Sequence, residues 1–414
     1  MPFADRLSPV SAVAALGPGP LTEDGVRAHI APLFSRVLAA NRERIYLANH
    51  SLGRPLDAMT DDVQEALAAW YTQMGDAWTA WNAEIAAHRA RLATLLHAAR
   101  PDCVVPKTSA GQGLRAVLNA VDGRPMVVAT RGEFDSLDVI LREYARRGRI
   151  SLTMVGPRED GMFDADEVLS GIGPATTLVV VSQVMFQTGQ VLPRLKAIVD
   201  RAHEVGAQVL LDVYHALGVF PVDVTALDVD FAVGGSYKYM RGGTGACFLY
   251  VHPRHLDRGL RSLDTGWFAK ESPFRYRRPD PPRYAAGGDA WLESTPAVLP
   301  FFQARAGQMF TLAIGVPRLR EYSLALQRTL VAGLAERGVR AQGGTDDRGA
   351  FVVVPVVDGN GNGDDAASRF AEALAAHDVV ADARGRWLRL CPDVLTSALE
   401  IDTAAAAVAN VLAR

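Results

Sequence analysis

Cysteine is scarce. The three residues, Cys103, Cys247 and Cys391, are too widely spaced for a metal knuckle, and their odd number excludes a complete disulfide framework. Each lies in an apolar stretch, the setting of a packed, reduced thiol. Charge of one sign is also missing. A net charge of −3 provides no electrostatic footprint for nucleic acid. No apolar run approaches the length of a membrane span. The opening Met1-Pro2-Phe3-Ala4-Asp5-Arg6 places a proline and an acid where a secretory signal needs basic and then apolar residues, so a cytoplasmic location is expected. Internal repeats and low-complexity segments are absent as well. What remains is an ordinary globular composition, 49% apolar and 21% charged, in a chain of 414 residues. That length exceeds a single hydrophobic core, so more than one domain is expected.

The middle of the chain alternates strands and helices. Residues 177–182 are a β-branched run of the kind buried on both sheet faces. Pro193 opens a helix with Leu195, Ile198, Val199, Ala202 and Val205 on one stripe, and Gly206 closes it. Residues 208–212 form the next strand, completing a βαβ unit. Further strands are expected at 126–130, 150–155, 230–234 and 246–251. The fold class is therefore α/β, a mostly parallel central sheet flanked by helices, with ligands at the carboxyl ends of the strands. Residues 1–60 read as an N-terminal arm with few regular patterns, 61–314 as the large domain and 315–414 as a smaller α/β domain. The segment Asp358-Gly359-Asn360-Gly361-Asn362-Gly363 opens like a calcium loop, but Arg369 stands where that loop needs a bidentate Glu. It reads as a polar turn, and no metal is expected.

Two segments carry the chemistry. Lys238 lies in Gly234-Gly235-Ser236-Tyr237-Lys238-Tyr239, and Leu210-Leu211-Asp212-Val213-Tyr214-His215 lies upstream at the end of a strand. Alone, each has an ordinary explanation as a surface turn or a strand terminus. Together they match the two ends of a pyridoxal 5′-phosphate site. A lysine imine anchors the cofactor and exchanges with an incoming amine. A buried carboxylate keeps the pyridine nitrogen protonated, so the ring withdraws electrons from the substrate α-carbon. Thr108-Ser109-Ala110-Gly111-Gln112-Gly113 precedes an apolar helix pattern. Its free N–H groups and helix dipole suit a phosphate, although plain helix capping explains the same residues.

The chain resembles the aspartate-aminotransferase-like superfamily of pyridoxal phosphate enzymes and, within it, the kynureninase family, from about residue 45 to the C-terminus. The segments carrying the resemblance are Tyr46-Leu47-Ala48-Asn49-His50-Ser51-Leu52-Gly53, residues 182–190 ending Thr188-Gly189-Gln190, Ser236-Tyr237-Lys238-Tyr239, and Arg389-Leu390-Cys391-Pro392. The resemblance implies the type I transferase fold. It assigns Lys238 as the Schiff-base lysine, Asp212 as the pyridine-nitrogen partner and His215 as a neighbour of the cofactor ring. Tyr237 would donate to the phosphate, beside Ser109, Ala110, Gly111 and Gln112, and Phe134 would stack on the ring. Trp267 and Thr295 would reach the phosphate of a second subunit, which implies a homodimer with shared sites. Arg389 would clamp the substrate carboxylate through its guanidinium fork, with Asn49 and His50 nearby.

The sequence departs from the family at three places. Phe134-Asp135-Ser136-Leu137-Asp138 replaces Phe-Pro-x-Asp, leaving Asp135 and Asp138 as rival candidates. Phe268-Ala269-Lys270 replaces Trp-Gly-His after Trp267. The family's ring-side histidine has no counterpart in residues 71–78. The activity expected is hydrolytic Cβ–Cγ cleavage of kynurenine or a related γ-keto amino acid. Lys238 would serve as α-proton base and Tyr237 as a later proton donor, its phenol acidified by a cationic imine. The alternatives are another reaction on the same scaffold (a C–S lyase or desulfinase, a class V aminotransferase or an epimerase) and a non-catalytic regulator. Cys391, the one cysteine near these segments, is expected to be packed and inert.

Overall fold

Five parallel strands form the centre of a seven-stranded sheet. In the computed structural model, which describes residues 8–356 and 366–413, they are β3 (Met126–Thr130), β4 (Ser151–Val155), β5 (Leu178–Ser182), β6 (Gln208–Asp212) and β7 (Phe231–Gly235). β2 (Val104–Lys107) and β8 (Cys247–Val251) complete it in the order β2-β8-β7-β6-β5-β3-β4, and both run antiparallel to their neighbours. The sheet is thus mostly parallel, with β8 alone running against the other strands. Every residue of β5 and β7 is buried, as a sheet covered by helices on both faces requires. The helix Leu195–Glu204 buries Leu195, Ile198, Val199 and Ala202, the stripe expected from its period. The turn at 358–363 lies outside the described residues, as does the opening Met1–Arg6.

One helix lies unusually close to the sheet. Ala110–Leu118 packs on β7 and β8, and a Cβ added at Gly113 would stand 2.6 Å from Val233 Cγ1. The missing side chain lets the helix start sit tight against the strand ends.

The N-terminal arm is more regular than its sequence suggests. Short helices at Pro9–Ala15 and Ser35–Ala40 flank further helical turns between residues 23 and 34. Val13, Val26, Ile30, Leu33 and Phe34 join a core with Ala306, Phe310 and Ile314 of the helix Leu299–Ile314. These elements are too short to stand alone, so packing rather than local periodicity makes them helical.

The C-terminal part holds a separate three-stranded antiparallel sheet of β9 (Val352–Pro355), β11 (Asp382–Arg384) and β12 (Trp387–Leu390), in the order β11-β12-β9. β1 (Ile45–Tyr46) pairs in parallel with β10 (Val379–Val380), and Ala48 bridges Cys391. This pairing draws residues 49–51 alongside Arg389. The helix Ala398–Leu412 begins with a capping box between Ser397 and Glu400. Among the described residues no helix is long and apolar enough to cross a membrane.

Replacing Gly113 with Ala should lower stability by about 1–3 kcal/mol through overpacking against Val233, despite alanine's better helix propensity. An unchanged midpoint in urea denaturation would show that the helix does not sit this close to the sheet.

Candidate active site

The carboxyl ends of adjacent strands deliver the central residues. Asp212 ends β6, and Lys238 follows β7, with Asp212 in register with Val233. Both side chains are almost fully buried. Asp212 Oδ1 accepts from Tyr214 N at 2.7 Å, and Lys238 Nζ lies 2.6 Å from His215 Nε2. Three rings surround the ammonium, with Nζ 5.3 Å from the centre of Phe134, 5.1 Å from Tyr214 and 5.7 Å from Tyr237. The chain comes very close behind the lysine. Gly53 N donates to Tyr237 O, and a Cβ at Gly53 would meet the carbonyl oxygen of Lys238 at 2.0 Å.

Burial dominates the electrostatics. It pushes the Asp212 carboxyl up, opposed by the Tyr214 N–H and the Lys238 charge. It pushes Lys238 down, opposed by Asp212 and reinforced by Arg389. His215 is driven well below the usual imidazole range by burial and by Lys238, so it is neutral at pH 7. The Tyr237 phenol is pushed up to about 12 by burial, then by Cys247 and Asp212. The lowering expected depends on a cationic imine beside the phenol, a group the chain itself does not supply. Tyr237 therefore holds its proton.

A second group gathers around Arg389. Its Nη1 donates to Phe186 O and its Nη2 to Asp382 Oδ2, each at 2.5 Å, while Nε is buried without a partner. His50 stacks on Phe351 with centroids 4.8 Å apart and lies 6.4 Å from the His215 ring. Neither His50 nitrogen has a hydrogen-bond partner, and burial together with Arg389 keeps the ring neutral. Asn49 is turned to structural use. Its Nδ2 donates to Tyr46 O and Cys391 O, leaving Oδ1 unpaired.

The expected anion cradle is a regular helix start. Ser109 caps it, accepting from Gln112 N at 3.1 Å, and the N–H groups of Ala110 and Gly111 have no intrahelical acceptor. The Gln112 side chain links Thr108 to Glu293, which also holds buried Lys107 at 2.6 Å. Trp267 and Thr295 form a pair next to Glu293, whose carbonyl accepts from Phe268 N. They bond to each other at 3.2 Å, with Thr295 exposed and Trp267 stacked on exposed Tyr276.

Residues 46–373 match the aminotransferase class-V family model. The chain belongs to the aminotransferase class-V family. It is similar to a kynureninase of Salinispora tropica, 29% identical over 370 residues, covering 83% of this chain and 84% of the relative. A kynureninase of Deinococcus radiodurans is 29% identical over 298 residues, covering 69% and 70%. A solved mutant form of C-DES with glycine covalently linked to its PLP cofactor superposes with a TM-score of 0.80 at 20% identity, covering 92% of this chain and 98% of that one. That likeness identifies the fold alone, which is the type I transferase fold expected.

Within this class-V site, two carboxyl groups escaped the sequence reading. Glu133 immediately precedes Phe134 and is buried, accepting from Thr130 Oγ1 at 2.6 Å, Ser182 Oγ at 2.7 Å and Ser182 N at 3.2 Å. Asp135, by contrast, is exposed, and Asp138 pairs with Arg142 on the helix surface. Asp382 faces Arg389 across two antiparallel strands. Glu133 had a sequence signal, a carboxylate three residues past a strand end. Asp382 had none, because its partner is fixed only by strand register.

Burial, followed in size by opposing bonds from Thr130 and Ser182 and by the Asp212 charge, pushes Glu133 from 4.5 up to about 8. A carboxyl raised in the folded state stabilises it fully below pH 4.5, and that contribution is lost as pH rises towards about 8. Glu133→Gln should therefore gain in Tm relative to the natural protein across this window and level off above it. A pH-independent Tm difference would contradict a protonated Glu133.

Proposed function

We propose that this protein is a kynureninase-like hydrolase cleaving the Cβ–Cγ bond of a γ-keto amino acid, with pyridoxal phosphate as cofactor. The coarser statement is plain: it is a pyridoxal phosphate enzyme acting on amino acids. The donor set fits that cofactor. Among the described residues Lys238 Nζ has one hydrogen-bond partner, His215, and Asp212 is a buried carboxylate receiving one backbone N–H. The start of the helix at Ala110 offers free N–H groups to a phosphate, with Ser109 and Gln112 in the same turn, and Tyr237 would donate to that phosphate as well. Phe134, its ring centre 5.3 Å from Lys238 Nζ, would cover the cofactor ring. Thr295 is exposed and Trp267 half-buried, and their reach to a phosphate would need a second copy of the chain.

When bound, pyridoxal phosphate supplies an aldehyde that condenses with amines and a ring that withdraws electrons from the α-carbon. The residues do the rest. Asp212 would hold the proton of that ring's nitrogen. Lys238, pushed below its ordinary range, takes the substrate α-proton on Nζ, and neutral His215 relays it. Arg389 holds the substrate carboxylate, its unpaired Nε marking the open edge. Tyr237, a protonated phenol, returns a proton to the β-carbon. Hydrolysis consumes one water, and the γ-carbonyl carbon leaves as a carboxylic acid while alanine is released.

The observation that carries the hydrolytic reading is His50. It is a neutral imidazole with both nitrogens unpartnered, beside Arg389, where a base for the attacking water is required. Thiol chemistry has less support. Cys103 and Cys247 are buried and pushed up to about 11, and Cys391 is pushed higher still, its Sγ bonded to Ala350 O. A desulfurase needs an accessible thiolate, and the chain does not provide one.

The cofactor-loaded protein should convert L-kynurenine or 3-hydroxykynurenine into anthranilate or its hydroxy form plus an equal amount of alanine, read by mass spectrometry. Arg389→Lys should lower kcat/KM about 10- to 100-fold by removing the two-pronged grip. Amino transfer dependent on a keto acid, without cleavage, would overturn the hydrolase reading.

A further inference from the structure

Arg389 meets its ligands along an edge that is already half taken. A guanidinium grips a carboxylate through two parallel N–H bonds, and Nε shares its edge with Nη2. Here Nε is buried and unpaired, while Nη2 donates to Asp382 Oδ2 at 2.5 Å. An incoming carboxylate that uses both donors must take Nη2 from Asp382.

Asp382 has a second place to rest. Its Oδ1 accepts from Arg384 Nη1 at 2.5 Å, and the two residues are i and i+2 on β11, so their side chains leave the same face. Arg384 has no other carboxylate partner among the described residues and is half-exposed, with room to follow. Ser51 Oγ also donates to Asp382 Oδ2, and His50 Nε2 lies 3.7 Å from that oxygen. The cluster counts two guanidinium charges against one carboxylate. One further carboxylate brings it to neutrality, with each acid on its own arginine.

We infer that Asp382 is a displaceable stand-in for the ligand carboxylate, capping Nη2 of Arg389 before a ligand binds and withdrawing onto Arg384 when one arrives. The inference rests on Arg389 as carboxylate receptor and not on which bond the enzyme breaks. Asp382 keeps a buried guanidinium from standing unpaired, a costly state. It also sets specificity. A ligand must bring a carboxylate able to replace Asp382, so an amine without one leaves the pair closed.

Propionate, which has neither amine nor keto group, tests this on the cofactor-loaded protein by titration calorimetry. Asp382→Asn should bind propionate about tenfold more tightly, because a neutral amide competes poorly for Nη2. Arg384→Gln should bind it about tenfold more weakly, because Asp382 loses its alternative partner and stays on Arg389. Should Asp382→Asn fail to fold, the Arg384→Gln result decides. Weaker or unchanged binding in Asp382→Asn would overturn the inference and make Asp382 a fixed strut, as would unchanged binding in Arg384→Gln. Arg389→Gln should abolish binding, and if it did not, both the stand-in and the receptor role of Arg389 would fall. All these results hold whether or not kynurenine is cleaved, so the two readings fail separately.

Discussion

Two opposite charges are buried together where β6 and β7 end, and the site is organised around that expense. Desolvation drives Asp212 towards its acid form and Lys238 towards its free amine, while each resists the other's neutralisation. Nothing else nearby satisfies them fully. The lysine touches a neutral imidazole and three rings, and the aspartate touches one N–H. A pair held this way is poorly compensated for stability alone but suits a group bearing both an aldehyde and a basic ring nitrogen.

The surroundings keep that pair dry and in place. Gly53 lets the N-terminal segment press against the lysine's own backbone, and the β1–β10 pairing carries His50 and Ser51 across to Arg389. The large sheet thus carries Lys238 and Asp212, the small sheet carries Arg389 and Asp382, and the segment after β1 carries neutral His50. Bond breaking is directed by how these three parts sit around one substrate, which is why the fold alone leaves the reaction open.

The sequence disclosed the sheet and its chemical ends well. β5, β6 and β7 are dense runs of Val, Leu, Ala and Phe bounded by Gly or a polar residue, and Asp212 and Lys238 lie where such strands finish. The helix at 195–204 was equally plain from its stripe. The arm was not, because its short helices borrow their stability from Phe310 and Ile314 almost 300 residues away. Glu133 was legible but overshadowed by Asp135 and Asp138, of which the first is exposed and the second bonds Arg142 on its own helix. Asp382 was invisible, since no local pattern reports which arginine a strand residue will face.

The central claim is that Lys238 is the cofactor anchor, and peptide mapping tests it most directly. The protein is loaded with pyridoxal phosphate, reduced with borohydride, digested and analysed by mass spectrometry. The account predicts a single pyridoxyl adduct on Lys238. The chain has only three other lysines, Lys107, Lys196 and Lys270. An adduct on any of these, with Lys238 unmodified, would contradict it.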